Sequence, residues 1–216
     1  MLGARAYRFW TTTAIVAAAA VLLVDGLPLM RRAHAFPQPT IVPTSWQLEM
    51  KYEHPRAIAV RLPGEATPRT YWFMTYTVTN NTGEDQNFVP EIALLSDAGD
   101  LIRANRNIPP RVFATIHQEL RNPLLKSPTQ VVGRLLQGAD NAVDGIALWP
   151  MPEHDVDSVT IFVQGLSGET YPVEDPQTGE IHLLRRTLML EYQTPGSVEK
   201  QPRKPWLFKA ERWVVR

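Results

Sequence analysis

Six consecutive residues, Pro152-Glu153-His154-Asp155-Val156-Asp157, crowd three carboxylates and an imidazole into one short stretch. Hard cations such as calcium need several carboxylate oxygens from one loop, and Glu153, Asp155 and Asp157 are the candidate ligands. The stretch lacks the mid-loop glycine and late glutamate of an EF-hand, so a solvated acidic turn between two strands competes with the metal reading. A second motif, Gly165-Leu166-Ser167-Gly168-Glu169, resembles a nucleophile elbow, but a glutamate stands where the last glycine belongs and no strand–turn–helix context follows. Ser167 therefore reads as a turn residue. His54, His117, His154 and His182 show none of the spacings of a zinc pair. Neither a phosphate-binding loop nor a dinucleotide fingerprint is present. Paired carboxylates of the hydrolytic kind depend on separation in space, which leaves a spatially assembled hydrolase open as an alternative.

The chain that must position these groups has 216 residues, 44% hydrophobic and 20% charged, a composition suited to a folded domain. It has no cysteine, which removes disulfides, thiolate metal sites and cysteine nucleophiles. Its nineteen prolines favour short strands and loops over long helices.

Residues 1–35 read as a secretory signal peptide. Arg5 and Arg8 precede an apolar run, residues 14–24, and Ala33 and Ala35 form a small-residue cleavage site before Phe36. Eleven residues rise only about 16 Å as a helix, short of the roughly 30 Å hydrocarbon core that an uncleaved anchor would span. Export to the periplasm or beyond the cell is expected, with membrane contact only through this segment. Residues 1–35 carry Arg5, Arg8, Arg31 and Arg32 against Asp25. The remainder therefore holds 18 basic and 21 acidic residues, a net charge of −3. That balance gives no footprint for nucleic acid.

Residues 36–44 form a proline-rich, extended and mobile lead-in, and one domain follows over 45–216. Period-two alternation marks Trp46, Leu48, Met50 and Tyr52 as one face of a strand. The stretch 71–79 places Trp72, Met74, Tyr76 and Val78 opposite Tyr71, Phe73 and three threonines, then ends in the turn formers Asn80-Asn81-Thr82-Gly83. Eight or nine short strands are expected, with turn signals spaced as in a sandwich. Trp46, Tyr52, Trp72 and Tyr76 read as core, although an exposed aromatic row on such a sheet would stack on sugars. In the last strand, Trp213 and Val215 are out of step with Trp206 and Phe208, which predicts a bulge or a two-sided strand.

Residues 109–137 break the strand pattern. Val112, Phe113, Ile116 and Leu120 follow two prolines at helical spacing. Ser127 and Pro128 then precede Val131, Val132, Leu135 and Leu136 in the pattern of a second helix. Packing of this insert onto the sandwich, over a sheet edge, is the first expectation. Its outward Arg111, Arg121 and Arg134 form a basic set that suits a protein partner or an anionic cell-envelope polymer.

The stretches YTVTNNTGEDQNFVPEIALLSDAGD, GADNAVDGIALWPMP and VDSVTIFVQGL together resemble the immunoglobulin-like β-sandwich modules of exported bacterial proteins of unknown function. The likeness covers residues 70–166, apart from the helical insert. It implies an all-β, immunoglobulin-like antiparallel β-sandwich and an exported location, and it transfers no catalytic residue and no cofactor. The expectation is a non-enzymatic interaction or structural protein of the cell envelope, with a carbohydrate- or calcium-binding module of the same fold as the alternative.

Overall fold

Alternating and doubly apolar runs organise this chain into two antiparallel sheets. The structure, a computed structural model, describes residues 37–152, 155–194 and 206–216. In the first sheet β1 (Glu49–Tyr52) and β2 (Arg56–Val60) lie end to end along one edge of β3 (Arg69–Thr79), and β8 (Val143–Pro150) pairs along the other. Tyr52 faces Tyr76 while Arg56 faces Phe73, so the β1–β2 side carries one extra residue, a bulge that kinks this edge.

The second sheet is built on β11 (Ile181–Gln193). β9 (Ser158–Gln164) and β10 (Thr170–Glu174) meet one of its edges and β12 (Leu207–Val215) the other. The Arg186 N–H accordingly reaches the Glu169 carbonyl, while the Arg185 N–H reaches that of Arg216. β5 (Glu91–Ser96) and β6 (Leu101–Arg103) extend the sheet beyond β9. A small ladder joins β4 (Gln86–Phe88) to β7 (Gly133–Leu135).

Two cores result. Trp72, Met74 and Trp149 from the first sheet pack with Leu94, Ile161 and Leu190 from the second. The opposite face of the first sheet, with Ile58, Phe73 and Leu148, packs under α1 (Pro110–Leu120) through Val112 and Ile116. The middle of β3 is thus buried on both sides, which is why its run is apolar at consecutive positions. Trp72 and Tyr76 are core, as the alternation implies, and Trp46 and Tyr52 pack half-buried against it.

The all-β sandwich with a short helical element is as expected, but the insert differs in detail. Only its first half is helical; α1 ends at Arg121 in the left-handed region, φ 53°. The predicted second helix is a turn at 128–130 followed by β7. Val131 and Leu135 are buried while Val132 and Leu136 are about half exposed, so that segment offers no continuous helical stripe. Ser127-Pro128 opens a turn as readily as a helix, and the positive φ of Gly133 favours the extended ladder with β4. The insert covers a sheet face with α1. It also covers an edge: the Lys126 N–H reaches the Asp144 carbonyl on the free side of β8. Farther along that side, the Asn105 amide accepts from the Leu148 N–H and donates to the Ile146 carbonyl.

The predicted irregularity in the last strand is a one-residue bulge. Tyr192 pairs with Phe208 and Glu191 with Ala210, leaving Lys209 extra. Trp206 is buried against Trp72, ring centroids 4.7 Å apart. Residues 1–35, expected from the sequence to be a signal peptide, lie outside the described residues. No helix among the described residues is long and apolar enough to cross a membrane.

Gly145 sits opposite Tyr76, and a Cβ there would lie 2.4 Å from the ring's Cζ. The Tyr76 ring is buried and has little room to move. Gly145→Ala is therefore expected to destabilise by about 1–3 kcal/mol through overpacking. A thermal melt should show this as a drop of several degrees; an unchanged midpoint would mean that the ring yields freely.

Candidate functional site

Three arginines converge beside the second sheet. A groove of about 260 Å3 is lined by Glu91 of β5, Arg103 of β6, Phe162 and Gln164 of β9, Arg106 and Arg216. Alternation along paired strands creates it. Ile92 and Leu94 face the core, so Ala93 faces out; Ala93 pairs with both Arg103 and Phe162, which puts all three on the outer face. Arg216 follows β12 and returns over this face, its guanidinium carbon 4.0 Å from the Phe162 ring centroid. Burial lowers its pKa from the ordinary value, but an arginine stays charged. Among the described residues, no carboxylate pairs with Arg103, Arg106 or Arg216.

The groove thus gathers cations that pair with no carboxylate side chain among the described residues, with one acidic side chain, Glu91, and two amides at its wall: Gln164, and Asn105, which is engaged with β8. Such a site attracts anions and orients planar ones, because a guanidinium presents a fixed fork of donors. Nothing in the local sequence announces it: Arg103 and Arg216 lie more than a hundred positions apart, and the sheet order brings them together.

A second, shallower cavity of about 200 Å3 includes Lys51, Glu53, Thr75, Thr77, Asn122 and Asp144. Its central carboxylate is already engaged. Asp144 accepts from the Thr77 hydroxyl at 2.6 Å and from the Asn122 amide at 2.9 Å. Those bonds tie the insert to β3 and β8.

A third cluster joins the end of β1 and the residues after it to β11 and β12. His54 Nδ1 lies 3.3 Å from the Tyr192 hydroxyl and its ring stacks on Phe208, while the Tyr52 hydroxyl donates to Glu211 at 2.5 Å. Burial, reinforced by Glu211, pushes both tyrosine pKa values up, so both phenols stay protonated. The Tyr52 hydroxyl acts as a structural donor.

The fourth cluster is buried. Glu169 and Arg186, both about 4% exposed, pair at 3.1 Å. The Tyr171 and Thr40 hydroxyls donate to the same carboxylate, and Arg186 also donates to the Thr40 carbonyl at 2.7 Å. Desolvation by burial raises the Glu169 pKa; the Tyr171 and Thr40 hydrogen bonds and the Arg186 charge more than offset it, leaving the carboxyl below its ordinary value. The guanidinium also stands 4.9 Å over the Trp213 ring. Thr40 of the proline-rich lead-in is thus tied to this cluster.

The sequence candidates are spread out. Glu153 and His154 lie outside the described residues; Asp155 and Asp157 are exposed. The Asp157 and Ser158 N–H groups donate to Asp97, an arrangement that fixes a turn. Among the described residues no three acidic or histidine side chains gather as a metal set. Ser167 is buried in the bulge between β9 and β10 and accepts the Glu169 N–H, as a turn residue does. Asn80, first residue of an apparent glycosylation sequon, is fully buried and spends its amide on the carbonyls of Glu84 and Leu135. Arg111 and Arg121 stand exposed at opposite ends of α1, ten residues or about 15 Å apart along the helix. Arg134 lies on β7, paired with Asp85 at 2.7 Å. The structure therefore places one of the three arginines outside the helix and already neutralised.

Comparison with protein-family models, with curated proteins and with solved structures finds no match to this chain.

Proposed function

We propose that the protein is an exported, non-enzymatic interaction module of the immunoglobulin-like β-sandwich kind, binding an anionic ligand of the cell envelope in the groove formed by Arg103, Arg106 and Arg216. Export rests on the layout of residues 1–35, and the immunoglobulin-like assignment on the resemblance of residues 70–166. The observation that carries the binding role is the groove itself: three guanidiniums without a carboxylate partner among the described residues, one of them held over Phe162. Cations left unpaired in a concave site are poorly explained by stability, since surface charges contribute little to it. They raise the local concentration of anions instead.

Titration of the full chain with a soluble polyanion, sulfated dextran, tests this reading. Binding should weaken as salt rises and should fall at least about tenfold in Arg103→Gln/Arg106→Gln, a loss of about 1.4 kcal/mol. Arg111→Ala/Arg121→Ala, which removes the helix cations, should leave it unchanged. Full binding by the first variant would refute the groove; loss in the second would move the site to the insert.

A further inference from the structure

We infer that the groove takes a single carboxylated sugar unit of an acidic glycan. The inference rests on the anion-binding reading above and narrows it from anions in general to one ligand chemistry.

Charge comes first. The lining sets three arginines against Glu91, so an incoming group meets attraction together with one fixed carboxylate. A ligand that is anionic on every face is opposed by Glu91. A sugar acid carries one carboxylate and several hydroxyls, and a carboxylate is an acceptor-only group that takes hydroxyl protons. Glu91 is then a partner and not a defect. Gln164 supports the same ligand, because its amide both donates and accepts and makes no hydrogen bond of its own among the described residues.

Geometry points the same way. The Arg216 guanidinium is held against the Phe162 ring, which fixes its donor fork before any ligand arrives. A fork immobilised in advance matches a planar carboxylate with two parallel bonds and loses less side-chain entropy on binding. Size completes the argument. At about 260 Å3 the groove is smaller than the roughly 300–1,000 Å3 of pockets that enclose a drug-sized ligand. It holds one ring, and the rest of a glycan would run outside along the sheet.

The test uses the purified full chain and three probes: trigalacturonate, a neutral trisaccharide of the same length, and inorganic phosphate. Titration calorimetry should show trigalacturonate binding at least about tenfold more tightly than either of the others. Arg103→Gln should weaken trigalacturonate about tenfold, and Gln164→Ala about threefold. Glu91→Gln should weaken trigalacturonate and strengthen phosphate, a crossing that a merely structural role for Glu91 would not produce. Each variant is melted first, and an unchanged midpoint certifies its fold. Phosphate bound as tightly as trigalacturonate would overturn the sugar-acid inference while leaving the anion site standing. Equal binding of the neutral trisaccharide would overturn it as well. Binding of sulfated dextran, but not of trigalacturonate, would do the same; no binding of any anion would remove both readings.

Discussion

A chain lacking residues 206–216 should no longer unfold as one cooperative unit. The segment supplies Trp206, only 2% exposed, whose ring lies edge-on to Trp72 and beside Tyr192. Loss of a buried tryptophan costs roughly 3–5 kcal/mol. The deletion also strips eight backbone pairings from β11, whose residues Thr187 to Leu190 are buried beneath that pairing. Together these losses approach the roughly 5–15 kcal/mol that holds a whole domain. Much of β12 is itself exposed, so the segment's contribution lies in Trp206 just before the strand, in Trp213 and in covering β11, not in a continuous apolar strip. Urea unfolding followed by tryptophan fluorescence and by circular dichroism should lose its shared sharp transition. A truncated protein with the parent's midpoint would make the segment an appendage. Trp206→Phe should be much milder, because the buried indole N–H has no hydrogen-bond partner to forfeit.

The second large effect is expected at Glu169–Arg186. Glu169→Leu strands a buried guanidinium, a change that typically costs 3–5 kcal/mol. For a chain of this size that is a fall on the order of 10 °C in melting temperature. Glu169→Leu/Arg186→Met should recover much of the loss, since an apolar pair of similar volume removes the desolvation cost of both ions. A double variant no better than the single would show that Thr40 and Tyr171, rather than the ion pair, dominate the cluster. The same pair predicts an acid limb. Its folded carboxyl binds protons less tightly than the ordinary value of 4.5, so the unfolded chain takes up more protons below that pH. Its stabilisation is complete above about pH 4.5 and is lost as pH falls toward the folded value. Glu169→Gln should flatten that limb in melts recorded between pH 5 and 3.

Much of the architecture is legible in residue order because strands announce themselves locally. Trp72 to Val78 alternate, Asn80-Asn81-Thr82-Gly83 turns the chain, and the Asx contacts of Asn80 to Thr82 show why. The out-of-step Trp213 foretold an extra residue, which is Lys209. The second helix of the insert was misread for an equally local reason. Val131, Val132, Leu135 and Leu136 fit a helical stripe, but the choice was made by β4, more than forty positions earlier. The sites are less legible still. Glu169 reads as a failed motif position until Arg186 and Thr40 are seen around it. Arg103 and Arg216 become neighbours only through the order of β6, β5, β9, β11 and β12, a property of pairing between distant segments that no window of sequence contains.

The extra residue at Lys209 has a further consequence, for how this protein behaves at high concentration. β12 is the outermost strand of its sheet, and among the described residues it pairs with no second strand. A straight nine-residue edge of this kind is a template on which another chain could add and start a fibril. The bulge breaks the regular spacing of free donors and acceptors midway along that edge. Lys209 adds a positive charge at that break, and like charges would oppose one another if two such edges approached. The irregularity thus costs one ladder position within the molecule and denies the next molecule a continuous one.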